Sequence, residues 1–177
     1  NWDFPEKWGV ELHDWDYTKG TDIIINDTAL EGIPFTAISE KAFFNDKQLT
    51  SLSLPSSVER VDSLAFEGAS NLKTITFSDG GKGLKKIGSL AFKDCSSLES
   101  IDLSNAEITE IPARAFENCT SLKSVKLPPT VTKIANNAFS GCSKLEEIEG
   151  LEQCKISELS ATAFDSCVRL KDINLSN

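Results

Sequence analysis

The stretch "AFENCTSLKSVKL", Ala115 to Leu127, decides the fold, because the chain repeats its skeleton while changing almost everything between the fixed positions. The frame returns as "AFEGASNLKTITF" from Ala65, "AFKDCSSLESIDL" from Ala91, "AFSGCSKLEEIEG" from Ala138 and "AFDSCVRLKDINL" from Ala163. Its phenylalanines are Phe43, Phe66, Phe92, Phe116, Phe139 and Phe164, at intervals of 23, 26, 24, 23 and 25 residues, each preceded by alanine. Five residues before each Phe stands Ile38, Val61, Ile87, Ile111, Ile134 or Leu159. Three further back stands Phe35, Val58, Leu84, Ile108, Val131 or Ile156. Self-similarity at such a period marks a stacked array, in which no unit buries its apolar side without a neighbour.

Downstream of each Phe the spacing changes character. A leucine follows six residues later (Leu72, Leu98 and Leu122 among them), and three beyond it comes Leu52, Ile75, Ile101, Val125, Ile148 or Ile173. Two residues further lies Leu54, Phe77, Leu103, Leu127, Gly150 or Leu175, with Gly150 the single apolar miss. An interval of two is the period of a strand with alternate side chains inward. Segments such as "LKTITF" and "LKSVKL" therefore read as short strands, one per coil, paired in parallel so that their backbone groups are satisfied. The other arc, "VxxIxxxAF", has apolar residues at offsets 0, 3, 7 and 8, which predicts a short helical or 3₁₀-like stretch facing the same core. The expected fold is an α/β solenoid. Alanine beside each Phe fits a close approach of coils that a larger side chain would force apart.

All length variation falls in one place, between the strand and the next isoleucine column. One edge therefore carries variable loops: "PSS" after Leu54, "SDGGKG" at Ser78 to Gly83, "SNAE" at Ser104 to Glu107, "PPT" at Pro128 to Thr130 and "LEQCK" at Leu151 to Lys155. Gly80, Gly81 and Gly83 lack the Gly-Lys-Ser/Thr ending of a phosphate loop and read as a tight insertion.

The 177 residues are 40% hydrophobic, enough for one cooperative folded unit. A formal charge of −9, from 27 acidic against 18 basic residues, argues against nucleic-acid binding, which needs a concentrated basic surface. No run of 18 apolar residues occurs, so no membrane insertion is expected. Four of the five cysteines (Cys95, Cys119, Cys142 and Cys167) follow the repeat, three residues after Phe, and read as small buried plugs rather than metal ligands or a disulfide framework. Cys154 lies in a variable loop and is the cysteine expected to meet a thiol reagent. A single histidine, His13, leaves no His-based metal cluster or credible triad, so neither catalysis nor a cofactor is expected.

"LPPTVTKIANNAFSGCSKLEEI", Leu127 to Ile148, and "LPSSVERVDSLAFEGASNLKTI", Leu54 to Ile75, resemble the BspA-like leucine-rich repeats, also called the Treponema pallidum type. The resemblance runs from about Phe35 to Leu175, with Asp46 and Ala69 in place of the cysteine. It implies a leucine-rich-repeat coil with a parallel sheet on a concave face and short helical or 3₁₀ segments on the convex side. It also implies an extracellular or cell-surface location and adhesin-like binding of a host, matrix or partner protein.

Residues 1–22 hold Trp2, Trp8 and Trp15 with Phe4, Tyr17 and His13, and read as an N-terminal cap over the first coil of a 23–177 solenoid. The rival is an aromatic interaction site or the remnant of a preceding domain. At the other end "LKDINLSN" completes a strand without a polar cap, so the array is expected to continue, or its open edge to self-associate. The outward strand residues are the candidate partner-binding set: Ser51, Ser53, Thr74, Thr76, Ser100, Asp102, Ser124, Lys126, Glu147, Glu149, Asp172 and Asn174. Asp102, Lys126 and Glu149 should stack with alternating sign. The alternative to a binding module is a structural spacer within a larger bacterial surface protein.

Overall fold

The computed structural model describes residues 10–12, 20–25, 34–171 and 173. Among these residues thirteen short strands alternate between two faces. The odd ones are β1 (Val10–Leu12), β3 (Phe35–Ile38), β5 (Arg60–Val61), β7 (Lys86–Ile87), β9 (Glu110–Ile111), β11 (Lys133–Ile134) and β13 (Glu158–Leu159). The even ones are β2 (Asp22–Ile24), β4 (Ser51–Leu54), β6 (Thr74–Phe77), β8 (Ser100–Asp102), β10 (Ser124–Lys126) and β12 (Glu147–Glu149). Every strand pairing among the described residues is parallel. The even strands form one six-stranded sheet in sequential order, and the odd strands form two, β1-β3-β5-β7 and β9-β11-β13. The molecule is a parallel β-solenoid built from the repeated columns.

The interior is the one the spacing demands. Phe43, Phe66, Phe92, Phe116 and Phe139 are buried, and the six rings stack face to face with centroids 5.1 to 5.5 Å apart and planes within 6°. That separation follows the strand-to-strand distance of a sheet, so the backbone ladder sets the ring geometry. Phe164, on the last coil, is half-buried but still stacks on Phe139 at 5.5 Å.

The helical part of the expectation fails. Among the described residues there is no α-helix, and the two 3₁₀ turns, Ser78–Gly80 and Leu151–Gln153, sit in variable loops. The isoleucine column instead forms the odd strands. The Ala-Phe arc is a series of turns with two left-handed residues, such as Leu64 and Gly68, Leu90 and Asp94, or Arg114 and Asn118. A helix cannot run through them. Within each arc, N–H groups donate three residues back, as Ala69 does to Phe66 and Cys119 to Phe116. The intervening N–H groups reach the next coil: Leu64 to Ser89, Phe66 to Ala91 and Gly68 to Lys93, all at 2.7 to 3.1 Å. Left-handed residues thus turn a would-be 3₁₀ helix into a third inter-coil ladder.

Gly150 is not a gap in the core. Its left-handed backbone (φ 84°) carries the chain one residue further, so that the buried Leu151 fills the place of Leu127 in the preceding coil. A Cβ on Gly150 would lie 2.5 Å from the Leu127 carbonyl, so only glycine permits this slip.

The N-terminal cap expected over residues 1–22 falls outside the described residues apart from 10–12 and 20–22. There, β1 pairs with β3, while Asp22 begins the strand that pairs with β4. Asp172 and Asn174 also lie outside the described residues.

Candidate functional site

In the six-stranded sheet the buried residues alternate with outward ones, as the two-residue period requires. Ile23, Leu52, Ile75, Ile101, Val125 and Ile148 face the core. The register aligns Ser51, Thr74, Ser100, Ser124 and Glu147 in one outward row. A second row holds Ser53 and Thr76, then Asp102, Lys126 and Glu149. All ten are exposed or half-exposed. The structure therefore brings the described members of the predicted set onto one surface.

Two residues of that surface escape a reading based on the repeat frame. Asp22 and Ile24 on β2 extend the two rows by one strand, with Asp22 opposite Ser51 and Ile24 opposite Ser53. Ile24 is 72% exposed while Ile23 and Ile25 are buried. The signal was present in the alternation of "DIII", but this copy lacks the Ala-Phe arc that flags the others. Asp22 Oδ1 accepts hydrogen bonds from Thr50 Oγ1 and Ser51 Oγ, both at 2.7 Å, and these hold its carboxyl below the ordinary value.

A flanking column was also missed. Lys73, Glu99, Lys123, Glu146 and Lys171 stand one residue ahead of the outward strand positions, each N–H donating to the preceding member's carbonyl. The signs alternate. Lys123 Nζ meets Glu99 Oε2 at 2.9 Å, and this hydrogen bond lowers the Glu99 pKa. In the second row Lys126 pairs with Glu149 at 3.3 Å, as alternation of sign requires. Asp102 does not join that pair; its Oδ1 accepts the Ser104 N–H at 3.0 Å and shapes the start of the next loop. In the acidic cluster of Glu146, Glu147, Glu149 and Glu152, Glu146 pairs with Arg169 at 3.6 Å and Glu149 with Lys126.

The face thus has two chemically different halves. From β4 to β6 it carries Ser51, Ser53, Thr74 and Thr76, with Thr76 Oγ1 and Ser53 Oγ 2.9 Å apart. From β8 to β12 it keeps Ser100 and Ser124 in the first row and adds the charges of Asp102, Lys126, Glu147 and Glu149.

The cysteines require a correction. Cys154, expected to be accessible, is 3% exposed, and its Sγ donates to the carbonyls of Pro128 and Gly150, each at 3.3 Å. Its loop folds back so that Leu151 and Cys154 both enter the core, which a loop reading by length alone could not foresee. Burial pushes its thiol pKa up. In the repeat column, Cys95, Cys119 and Cys142 are buried and Cys167 is half-exposed. Each donates its Sγ–H to the Phe carbonyl of the preceding coil at 3.1 Å, so the column ties coils together as well as filling space.

Among the described residues no cluster of three or more His, Cys, Asp and Glu side chains could hold a metal, and no helix is long and apolar enough to cross a membrane.

The comparisons with known proteins agree with this geometry. A leucine-rich cell surface protein of Faecalibacterium prausnitzii superposes with a TM-score of 0.70 at 28% identity, over 85% of this chain and 46% of that one. The leucine-rich repeat protein of T. pallidum does so with a TM-score of 0.57 at 29% identity, over 86% of this chain and 80% of that one. A leucine-rich repeat protein of Bacteroides ovatus, 23% identical, shares the fold over 97% of this chain and 50% of its own, with a TM-score of 0.54. The chain thus spans less than half of the F. prausnitzii protein. No curated protein matches it. The BspA type leucine-rich repeat region matches residues 36–171 in six copies, and the chain belongs to that family, whose fold is a protein-interaction scaffold.

Proposed function

We propose that the chain is a secreted or cell-surface interaction module, adhesin-like in role, that binds a host, matrix or partner protein. The binding surface is the six-stranded face, concave by analogy with the family, together with its adjoining loops. The observation that carries this reading is the division of labour within each even strand. One residue of each pair completes the core, while the other stands on a continuous outward surface that folding does not need. Variable loops along one edge of that surface add a second source of specificity, as in other scaffolds that carry recognition on loops. The name of the F. prausnitzii relative supports the location.

A spacer is the second reading, favoured by one feature of the face. Among its described residues there is no Trp, Tyr or Arg, the types in which binding energy concentrates. We also retain self-association at the C-terminal coil, where Val168 is 79% and Leu159 40% exposed; monomeric sedimentation over a wide concentration range contradicts it.

Binding to immobilised matrix proteins and to host cells separates the two main readings. The variant Thr76→Arg with Lys126→Glu is compared with Lys86→Glu on β7, after melting curves show all three proteins folded. Recognition by the six-stranded face predicts saturable binding that the double variant weakens roughly tenfold or more, while Lys86→Glu leaves it unchanged. Binding indifferent to both changes, or none that saturates, supports the spacer.

A further inference from the structure

The coils are not joined equally. Elsewhere the odd strands form continuous ladders, but β7 and β9 do not pair, and the odd strands split there into two sheets. One donor is missing from the ladder at this level. In the position after the isoleucine column, Asp62 donates to Ile38, Gly88 to Val61, Ala135 to Ile111 and Ser160 to Ile134, all at 2.8 to 3.0 Å. The equivalent residue facing Ile87 is Pro112, which has no N–H to give. The entry to the strand is displaced as well. Lys85 donates to Glu59, Thr132 to Thr109 and Ser157 to Thr132, whereas no N–H of Thr109 or Glu110 reaches the Lys85 carbonyl. Glu107 donates to Leu84 instead, at 2.8 Å.

The even sheet thins at the same level. β6 and β8 pair only at Thr74 opposite Ser100, where neighbouring pairs run over three or four residues. Ion pairs bridge the coils on either side, Lys85 with Glu59 and Lys93 with Glu67 below, Lys123 with Glu99 and Lys133 with Glu110 above. Among the described residues none within 4 Å bridges this junction; Lys86 and Glu110, opposite in sign and in the same column, are unpaired with each other.

The coils stay attached along the Ala-Phe arc and the loop edge, beside the Glu99 N–H on the Lys73 carbonyl and the Glu107 N–H on the Leu84 carbonyl. The Ala-Phe arc is intact, with Leu90 donating to Ala113, Phe92 to Ala115 and Asp94 to Glu117, and with Phe92 stacked on Phe116 at 5.2 Å. On the loop edge Asn105 is stitched to the glycine-rich insertion through its N–H on Gly80 and its Nδ2 on the Asp79 carbonyl.

We infer that the junction between the β6/β7 and β8/β9 coils is a built-in bending point of the solenoid. Both sheets loosen at one level while the phenylalanine arc keeps the coils in register, so the two blocks flex about that arc as a hinge. The bend falls between Thr76 and Asp102, where the hydroxyl half of the six-stranded face meets the charged half. It changes the angle between two chemically distinct halves, and it stands whether or not that face recognises a partner.

Hydrogen exchange followed by NMR on the intact chain tests the inference first, because local opening is read directly from amide protection. The amide of Thr109 should exchange at least about tenfold faster than those of Lys85 and Thr132, its equivalents in adjoining coils. Spin labels on ketone-bearing residues at positions 59 and 157, one on each block, then report the bend by electron–electron distance measurement. The native chain should give a broad distribution, and Pro112→Ala, which restores a donor to Ile87, a narrower one. Equal protection at Thr109, Lys85 and Thr132, or a distance distribution in the native chain as narrow as that between labels within one block, at positions 110 and 157, overturns the hinge.

Discussion

The phenylalanine column and the outward rows of the six-stranded sheet are built from the same repeats, yet they follow opposite rules. Inside, the same side chain recurs on all six coils and its rings stack at nearly constant spacing. Outside, the residue at one position passes from Ser53 to Thr76, Asp102, Lys126 and Glu149, with no side chain of this row in the core. A column inside the coil must fit the columns above and below it, so packing density allows one solution. A residue outside meets water and is free to vary. The inner columns therefore carry the fold, and the outer rows carry whatever distinguishes this chain from its relatives.

The largest effect that can break this comparison is on stability. Phe116→Ala removes a fully buried ring from between Phe92 and Phe139 and should cost about 3 to 5 kcal/mol in chemical denaturation. Ser124→Ala, one outward position on the next strand, should stay within about 0.5 kcal/mol. Comparable losses at the two sites would mean that the outward rows belong to the core.

A smaller effect concerns the thiols, where the inner column reaches solvent at one end. Under native conditions a thiol reagent should modify Cys167 first and leave Cys95, Cys119, Cys142 and Cys154 untouched, as read by mass spectrometry of peptides. Cys167 itself should react slowly, because its contact with Cys142 and its burial raise its pKa and keep the thiolate scarce near neutral pH. Its rate should climb as pH rises past the ordinary thiol range. Modification of Cys154 ahead of Cys167 would show that the 151–155 loop does not close over the core.

How far the sequence discloses the structure follows from the same contrast. Periodicity reports which residues are buried, so the core columns, the even strands and the outward rows were legible from spacing alone. The Ala-Phe arc was not, because apolar offsets of 3, 7 and 8 suit a helix and a chain of turns equally. Nothing in the side chains of Leu64, Leu90 or Arg114 announces a left-handed backbone. Inter-coil hydrogen bonding decides that conformation, and it is non-local. The Gly150 slip and the burial of Cys154 share a cause: a loop's length is visible in sequence, but its return to the core depends on a cavity that the neighbouring coil provides. Pro112 is the converse case. Its lost donor is plain in the sequence, yet its consequence needs the knowledge that Ile87 waits opposite.

Of the candidate site, the rows were legible because strands alternate. The flanking ion column through Lys73, Glu99, Lys123 and Glu146 was not, since it sits just outside the strands that define the alternation. The partner is not encoded in any pattern of this kind, because complementarity requires the other surface.

The central claim is that one phenylalanine per coil lies in a shared interior with its neighbours stacked directly above and below. Nuclear Overhauser contacts between the ring protons of Phe92, Phe116 and Phe139 in solution test it most directly. The account predicts strong contacts from Phe116 to both neighbours and none from any of the three rings to a soluble paramagnetic probe. Rings broadened by the probe, or Phe116 contacts that skip both Phe92 and Phe139, would contradict it.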